Sequence, residues 1–321
     1  MDLRCPIVSI ILPCYNAENT VSAAIESVKN STIASKCELI IVNDGSTDNI
    51  GAVIDDRCRQ VKDLKIKVIK TNNQGVSKAR NTALDAAEGK YIVFLDADDR
   101  ISPCMLENMA AYSEKTGADF SFCKQTFDVT KLSKKATIPE ITTKSKVIST
   151  LLYRSILLGF TNVLYRRSII EKYSLRFDES LRYGEDLLFL WKYAIRCSIY
   201  LCFNRPFYYY ARDNKSSVMH RVSWEMTDVL KAVEQIREYI PHKGIALHKA
   251  FDDYMIPRYI LYLQTYFAAG KNRELYDRLK KRYSSVSYRA VIKKARLVIK
   301  ISAILYSISP SLYFHVFKIL S

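Results

Sequence analysis

The sequence predicts an α/β protein with a mostly parallel central sheet, followed by a helical C-terminal region. Three observations predict it. Short apolar runs recur at Val8 to Leu12, Glu38 to Val42 and Tyr91 to Leu95, the mark of strands buried on both faces. Segments of helical periodicity separate them, so neighbouring strands run parallel through right-handed crossovers. The strands then stop at polar or acidic loops, on the sheet edge where ligands bind in such folds.

The elements follow in order. Val8 to Leu12 is a β-branched strand that Pro13-Cys14-Tyr15-Asn16 ends as a loop. Thr20 to Lys29 is a helix with Val21, Ala24, Ile25 and Val28 on one face. Glu38 to Val42 is a strand stopping at Asn43-Asp44-Gly45-Ser46-Thr47-Asp48, where Thr47 or Asp48 caps a helix over 49–61. Lys65 to Ile69 is a third strand, Asn72-Asn73-Gln74-Gly75 a turn, and Val76 to Ala87 a helix closed by Gly89. Tyr91 to Leu95 is the fourth strand. Beyond it, 106–112 reads as helix, 118–123 as strand, 131–146 as a polar surface loop and 146–158 as helix. From Tyr183, acidic residues open an apolar helix through Trp191, and the chain from Trp224 onward is helical.

The fourth strand drives straight into Asp96-Ala97-Asp98-Asp99. Clustered carboxylates repel one another and cost stability unless a cation offsets them. Hard oxygen ligands on neighbouring residues suit Mg²⁺ or Mn²⁺ shared with substrate phosphates. The other reading is a polar turn whose Asp98 or Asp99 caps the helix starting near Pro103. Because the loops after the first, second and fourth strands carry Tyr15, Asp44 and Asp96 with Asp98, three strand ends deliver polar groups to one edge.

Composition narrows the class. A chain of 321 residues has room for one large α/β domain with an appendage, or for two domains. Eight cysteines without a CxxC pair read as free thiols of a reducing cytoplasm. The apolar stretch 7–12 is too short for a signal peptide. Of the net charge of +16, residues 278–321 carry ten Lys or Arg and no acid, leaving 39 basic and 33 acidic residues, net +6, in 1–277.

Taken together and in order, these motifs resemble the inverting family 2 glycosyltransferases of the GT-A fold, of the bacterial surface-polysaccharide type. The resemblance rests on Val8 to Asn16, Val42 to Asp48, Gln74-Gly75 with Ala79-Arg80-Asn81, and Phe94 to Asp99. It continues through Leu164 to Ser168, Arg176 to Glu179 and Gly184-Glu185-Asp186. It implies a catalytic domain over 1–220 and a helical C-terminal region over 221–321. It also implies that Asp44 hydrogen-bonds the base of a nucleotide, usually uracil, that Pro13 and Tyr15 line that pocket, and that Asp96 contacts the ribose or donor sugar. Asp98 would coordinate the divalent metal on the diphosphate, and Asp186 would be the base that takes a proton from the acceptor hydroxyl. Arg80 lies where the family places a basic residue near the donor; a structural ion pair with Asp44 or Asp96 is its other reading. Arg212 is the expected phosphate clamp, and His220 either a further metal or phosphate contact or a structural residue. Glu185 reads as a helix-start carboxylate, and Asp99 as a helix cap.

The implied activity is transfer of a sugar from a UDP-linked donor to a lipid-linked saccharide acceptor. A catalytically silent GT-A-like binding or scaffolding protein and a sugar nucleotidyltransferase are the alternatives. In the tail, Arg289, Lys293, Arg296 and Lys300 fall on one stripe of a helix. Apolar residues cover much of the rest, so this segment reads as an interfacial helix attracted to anionic lipid. Pro310, His315, Lys318 and the serines of 301–320 argue against a membrane span. Nucleic acid is not an expected partner, because no reading module accompanies the basic residues. The expected location is the cytoplasmic side of the cell membrane, attached peripherally.

Overall fold

The computed structural model describes residues 5–153, 158–211, 222–240 and 244–320. The chain forms two compact units, Met1–Glu179 with Phe189–Asn214, and Ser180–Leu188 with Lys215–Ser321. The second unit thus includes 180–188.

The first unit contains β1 (Val8–Cys14), α1 (Val21–Lys29), β2 (Cys37–Asp44), α2 (Ile50–Gln60), β3 (Lys65–Thr71), α3 (Val76–Ala86) and β4 (Tyr91–Phe94). After these come β5 (Arg100–Ile101), α4 (Met105–Thr116), β6 (Phe120–Thr126), β7 (Glu140–Thr142), α5 (Lys144–Tyr153), β8 (Val163–Arg166) and α6 (Arg167–Lys172). Helix α7 (Glu185–Ala194), which belongs to this unit from Phe189 onward, and β9 (Tyr200–Tyr209) complete it. Among the described residues the sheet runs β3-β2-β1-β4-β8-β6-β9-β5, with β7 on β9.

Its first half is wholly parallel. Ile10 of β1 lies between Leu39 of β2 and Val93 of β4, and β3 continues the pattern beyond β2. Every residue of β1 is buried, as a strand covered on both faces requires. Past β4 the sheet becomes mixed: β8 pairs antiparallel with β4 and β6, while β9 runs parallel to β6 through an irregularity at Cys123 to Gln125. Short strands β5 and β7 each pair antiparallel with β9. Part of the stretch read as a polar loop is therefore a strand, because β9 offers an edge that Glu140 to Thr142 can join. All eight cysteines are unpaired thiols.

The N-terminal ends of the strands are tied by a buried acid. Glu38 Oε1 accepts from Ser9 Oγ at 2.6 Å and from the Glu88 amide at 2.7 Å. Glu88 itself bridges Lys65 at 2.7 Å and Lys67 at 2.6 Å. The hydrogen bond from Lys65, with that from Lys67, holds the Glu88 carboxyl down at about 2, against an ordinary 4.5. A depressed folded-state value means stabilisation that is complete above 4.5 and lost as the pH falls toward 2. Glu88→Gln is expected to flatten the fall of melting temperature across that window, read by thermal melts at stepped pH.

The second unit is helical: α8 (Asp228–Glu238), α9 (Ile245–Ala250), α10 (Ile256–Ala269), α11 (Arg273–Arg282), α12 (Arg289–Lys294), α13 (Leu297–Ile308) and α14 (Pro310–Leu320). A buried set of Tyr276, Tyr288, Tyr306 and Tyr313 joins α10 to α14, with Thr265 Oγ1 2.5 Å from the Tyr313 hydroxyl. The basic stripe at 289–300 does not lie on one helix. The backbone is extended at Ala295 (ψ 166°) and Arg296 (ψ 157°), so Arg289 and Lys293 belong to α12 and Lys300 to α13. Packing explains the break. A straight helix would separate Tyr288 from Tyr306 by about 27 Å; with the chain turned, their rings lie 5.2 Å apart. Among the described residues, no helix is long and apolar enough to cross a membrane.

Candidate active site

The site is assembled at the C-terminal ends of β1, β2 and β4. Pro13 is the penultimate residue of β1, opposite Val42, and Tyr15 stands exposed in the loop beyond it. Asn16 takes a left-handed conformation at φ 47°. Its Oδ1 accepts the Thr47 amide at 2.8 Å, and its own amide donates to Ser46 Oγ at 3.0 Å. The loops after β1 and β2 are clipped together by these bonds. Asp48 strengthens the clip: Oδ1 accepts the Ile50 amide at the start of α2, and Oδ2 the Glu18 amide. The sequence singled out Asp48 for this helix start but gave no role to Asn16.

Asp44, the last residue of β2, is buried. Its carboxylate accepts from Thr71 Oγ1 at 3.0 Å and from the amides of Gln74 and Gly75 at 3.1 and 2.8 Å. It therefore fixes the turn before α3. Gly45 beside it sits at φ 67°, and a Cβ there would lie 2.5 Å from the Asn73 nitrogen, so no larger residue fits.

The acidic loop is held from three sides. Asp96 pairs with Arg80 of α3, Nη2 to Oδ1 at 3.0 Å. Arg80 is buried and lies over the rings of Phe160 at 4.8 Å and Phe177 at 5.4 Å. The ion pair with Asp96, one of its two readings, is formed. Asp99 is buried and accepts from the Tyr208 hydroxyl at 2.6 Å and the Ala211 amide at 2.8 Å. This corrects its reading as a helix cap: α4 begins only at Met105, its N-cap position is Cys104, and no side chain caps it. Five residues of chain, including β5, lie between. Burial, helped by the Asp96 and Asp98 carboxylates, raises the Asp99 carboxyl to about 8. Asp98 is half-buried between these two neighbours. Among the described residues, no three His, Cys, Asp or Glu side chains form a metal cage. Asp96 is engaged by Arg80 and Asp99 by Tyr208, and the oxygen donors of this loop are of the hard kind that Mg²⁺ or Mn²⁺ accepts.

A further clamp involves Asn81, which the sequence offered only as part of a motif. Its Nδ2 donates to the Phe177 carbonyl at 3.0 Å and to Glu179 Oε1 at 2.9 Å, while Oδ1 accepts the Phe177 amide at 2.9 Å. Phe177 stacks on Phe189 of α7, with centroids 4.3 Å apart and planes within 2°. Asn81→Ala would leave the Phe177 amide and carbonyl buried without these partners. It is expected to destabilise the fold by about 3 kcal/mol, measured by urea denaturation.

Asp186 lies in the second unit, in the first turn of α7, where its Oδ1 accepts the Leu187 amide at 2.6 Å. Gly184 leads into it at φ 86°, and a Cβ there would meet Val229 Cα and Ala232 Cβ of α8, each at 3.0 Å. Asp228 at the start of α8 accepts the Arg182 amide at 3.1 Å. Gly184 and Arg182 thus seat the Asp186 segment against α8. Buried Glu185 occupies the same first turn. Arg212 and His220 lie outside the described residues.

A parallel sheet turning mixed after β4, with a buried acid ending β2 and an acidic loop ending β4, is the layout of the GT-A fold. The chain belongs to glycosyl transferase family 2, whose description matches residues 9–174. That span includes the acidic loop and stops short of Asp186.

Similar proteins include EpsJ of Bacillus subtilis, an uncharacterized glycosyltransferase, 35% identical over 192 residues that make up 56% of this chain and 54% of that protein. TarS of Staphylococcus aureus, a poly(ribitol-phosphate) β-N-acetylglucosaminyltransferase, is 30% identical over 217 residues, 66% of this chain and 36% of that protein. The chain therefore spans about half the length of these relatives, or less. Among solved structures, TarS 1–349 with UDP-GlcNAc superposes with a TM-score of 0.58 at 21% identity, covering 92% of this chain and 78% of that one. The mannosyltransferase PcManGT of Pyrobaculum calidifontis, in complex with GDP-Man and Mn²⁺, gives 0.60 at 15% identity, covering 98% and 87%. Both likenesses are of fold.

Proposed function

We propose that this glycosyltransferase moves a sugar from a UDP-linked donor, with inversion, to a saccharide carried on a lipid. The pathway would be assembly of a surface polysaccharide or lipopolysaccharide at the inner face of the cell membrane. The observation that carries the reading is the acidic loop Asp96–Asp99, fixed at the end of β4 and separated only by β1 from the Asp44 end of β2. The binding of UDP-GlcNAc by TarS supports a UDP-linked donor.

In this reading Pro13 and Tyr15 line the base pocket and Asp44 hydrogen-bonds the base. Asp96, oriented by Arg80, contacts the ribose or donor sugar, which places Arg80 one bond from the donor. Arg212 contacts the diphosphate. Asp186 accepts the proton of the acceptor hydroxyl as its oxygen bonds to the anomeric carbon. The bond from that carbon to the donor phosphate breaks, and its electron pair leaves with the nucleoside diphosphate. A single displacement of this kind needs no protein nucleophile. Mg²⁺ or Mn²⁺ held by Asp98 would neutralise charge on the leaving diphosphate.

The test is turnover of a panel of nucleotide-sugars, with and without EDTA. The expected result is turnover of a UDP-sugar that EDTA stops and added Mn²⁺ or Mg²⁺ restores. Donor binding without turnover on any acceptor would favour a silent binding protein.

A further inference from the structure

Helix α13 buries one side and leaves the opposite, aliphatic side exposed to water. Ala303 and Tyr306 face the interior of the second unit. Leu297, Val298, Ile301, Ile304 and Ile308 are 71%, 76%, 57%, 42% and 74% exposed. At about 100° per residue, Leu297, Ile301, Ile304 and Ile308 fall within an arc of roughly 60°, with Val298 about 60° beyond it. Folded proteins rarely leave so continuous an aliphatic line in water without a use for it.

Cations surround the line. Lys293, Lys294 and Arg296, at the end of α12 and in the turn before α13, are exposed, and Lys300 flanks the stripe. No acidic residue occurs from 278 to 321, against ten basic ones. A second copy of this surface would bring the same excess of positive charge against it. An anionic lipid surface offers hydrocarbon to the aliphatic line and negative head groups to the cations.

We propose that α13 docks in the interface of an anionic membrane. Leu297, Ile301, Ile304 and Ile308 enter the acyl boundary, and Lys293, Lys294 and Arg296 sit at the head groups. The docking element is therefore the aliphatic face of α13, with the cations of the preceding turn beside it, in place of a continuous basic helix from 289 to 300. The inference deepens the reading of a transferase with a lipid-linked acceptor, and rests on that reading for its purpose.

The test is co-sedimentation of the full chain with vesicles of phosphatidylcholine, alone or mixed with phosphatidylglycerol. The wild type is expected to partition onto the mixed vesicles and to ignore the neutral ones. Ile301→Asp with Ile308→Asp should lower partitioning at least about tenfold, because two inserted aliphatics are replaced by charges. Lys293→Gln with Lys294→Gln should lower the preference for phosphatidylglycerol. Ile301 and Ile308 are exposed, so the melting temperature of the aspartate variant should match the wild type. Equal partitioning of the aspartate variant and the wild type overturns the proposal, and so does a wild type that stays in the supernatant. A wild-type dimer that the aspartate variant converts to monomer would assign the face to a second copy. Hydrolysis of the nucleotide-sugar in vesicle-free buffer reads the enzyme separately. Its absence would count against the functional reading and leave the docking result standing.

Discussion

Asp186→Asn is expected to lower kcat for sugar transfer by about 10²- to 10⁴-fold, the range supplied by a positioned general base. The exchange is nearly isosteric, and the asparagine Oδ1 can still accept the Leu187 amide that Asp186 holds at 2.6 Å. What disappears is the ability to take a proton. Loss of a negative charge from the first turn of α7 costs helix stability only about 0.5 kcal/mol, so the melting temperature should barely move. Binding of UDP, measured by calorimetry, should be unchanged, because the proposed role lies with the acceptor. A kcat within about tenfold of wild type would remove Asp186 from the mechanism. The experiment has particular weight because the family match ends at residue 174, before this position. The assignment of the base therefore rests on the Gly184-Glu185-Asp186 motif and its helix start.

The parallel half of the sheet was legible because its signals are local. Apolar β-branched runs and turn residues identify β1, β2 and β4 without knowledge of any partner strand, and the acid at their ends follows from position alone. Strand β7 was not legible: Glu140 to Thr142 has no alternation of its own and becomes a strand only by pairing with β9. Asp99 was misread for a related reason. Nothing near it in sequence announces Tyr208 or Ala211, more than a hundred residues away, which take up its carboxylate. The spacing to Met105 did carry a signal, since a capping side chain stands immediately before the helix it caps. For Arg80, the local sequence left a donor contact and an ion pair equally open, and the packing of α3 against β1 and β2 brought it to Asp96. In the tail, periodicity held through 289–300, and no Gly or Pro marks the extended residues Ala295 and Arg296. The turn there comes from burying Tyr288 against Tyr306, a contact that no helical period encodes.

Asp98→Asn should separate catalysis from folding. Three carboxylates crowd the loop, and repulsion from Asp98 is one of the influences that raise Asp99. Removing one charge relieves that repulsion, so without divalent metal the variant is expected to melt at the wild-type temperature or above it. Activity should move the other way. Charge stabilisation by a metal ion amounts to several kcal/mol, so kcat/KM is expected to fall roughly a hundredfold or more. A readout independent of turnover is the effect of Mn²⁺ on UDP binding. The wild type should bind UDP more tightly with Mn²⁺ than with EDTA, and Asp98→Asn should bind it equally in both. Asp96→Asn provides the contrast. It takes the charged partner from Arg80, whose guanidinium is buried over Phe160 and Phe177, and should lose about 1–3 kcal/mol of stability. If Asp98→Asn retained the Mn²⁺ effect while Asp96→Asn abolished it without unfolding, the metal ligand would be Asp96, and the Arg80 pair would be a resting arrangement that the metal displaces.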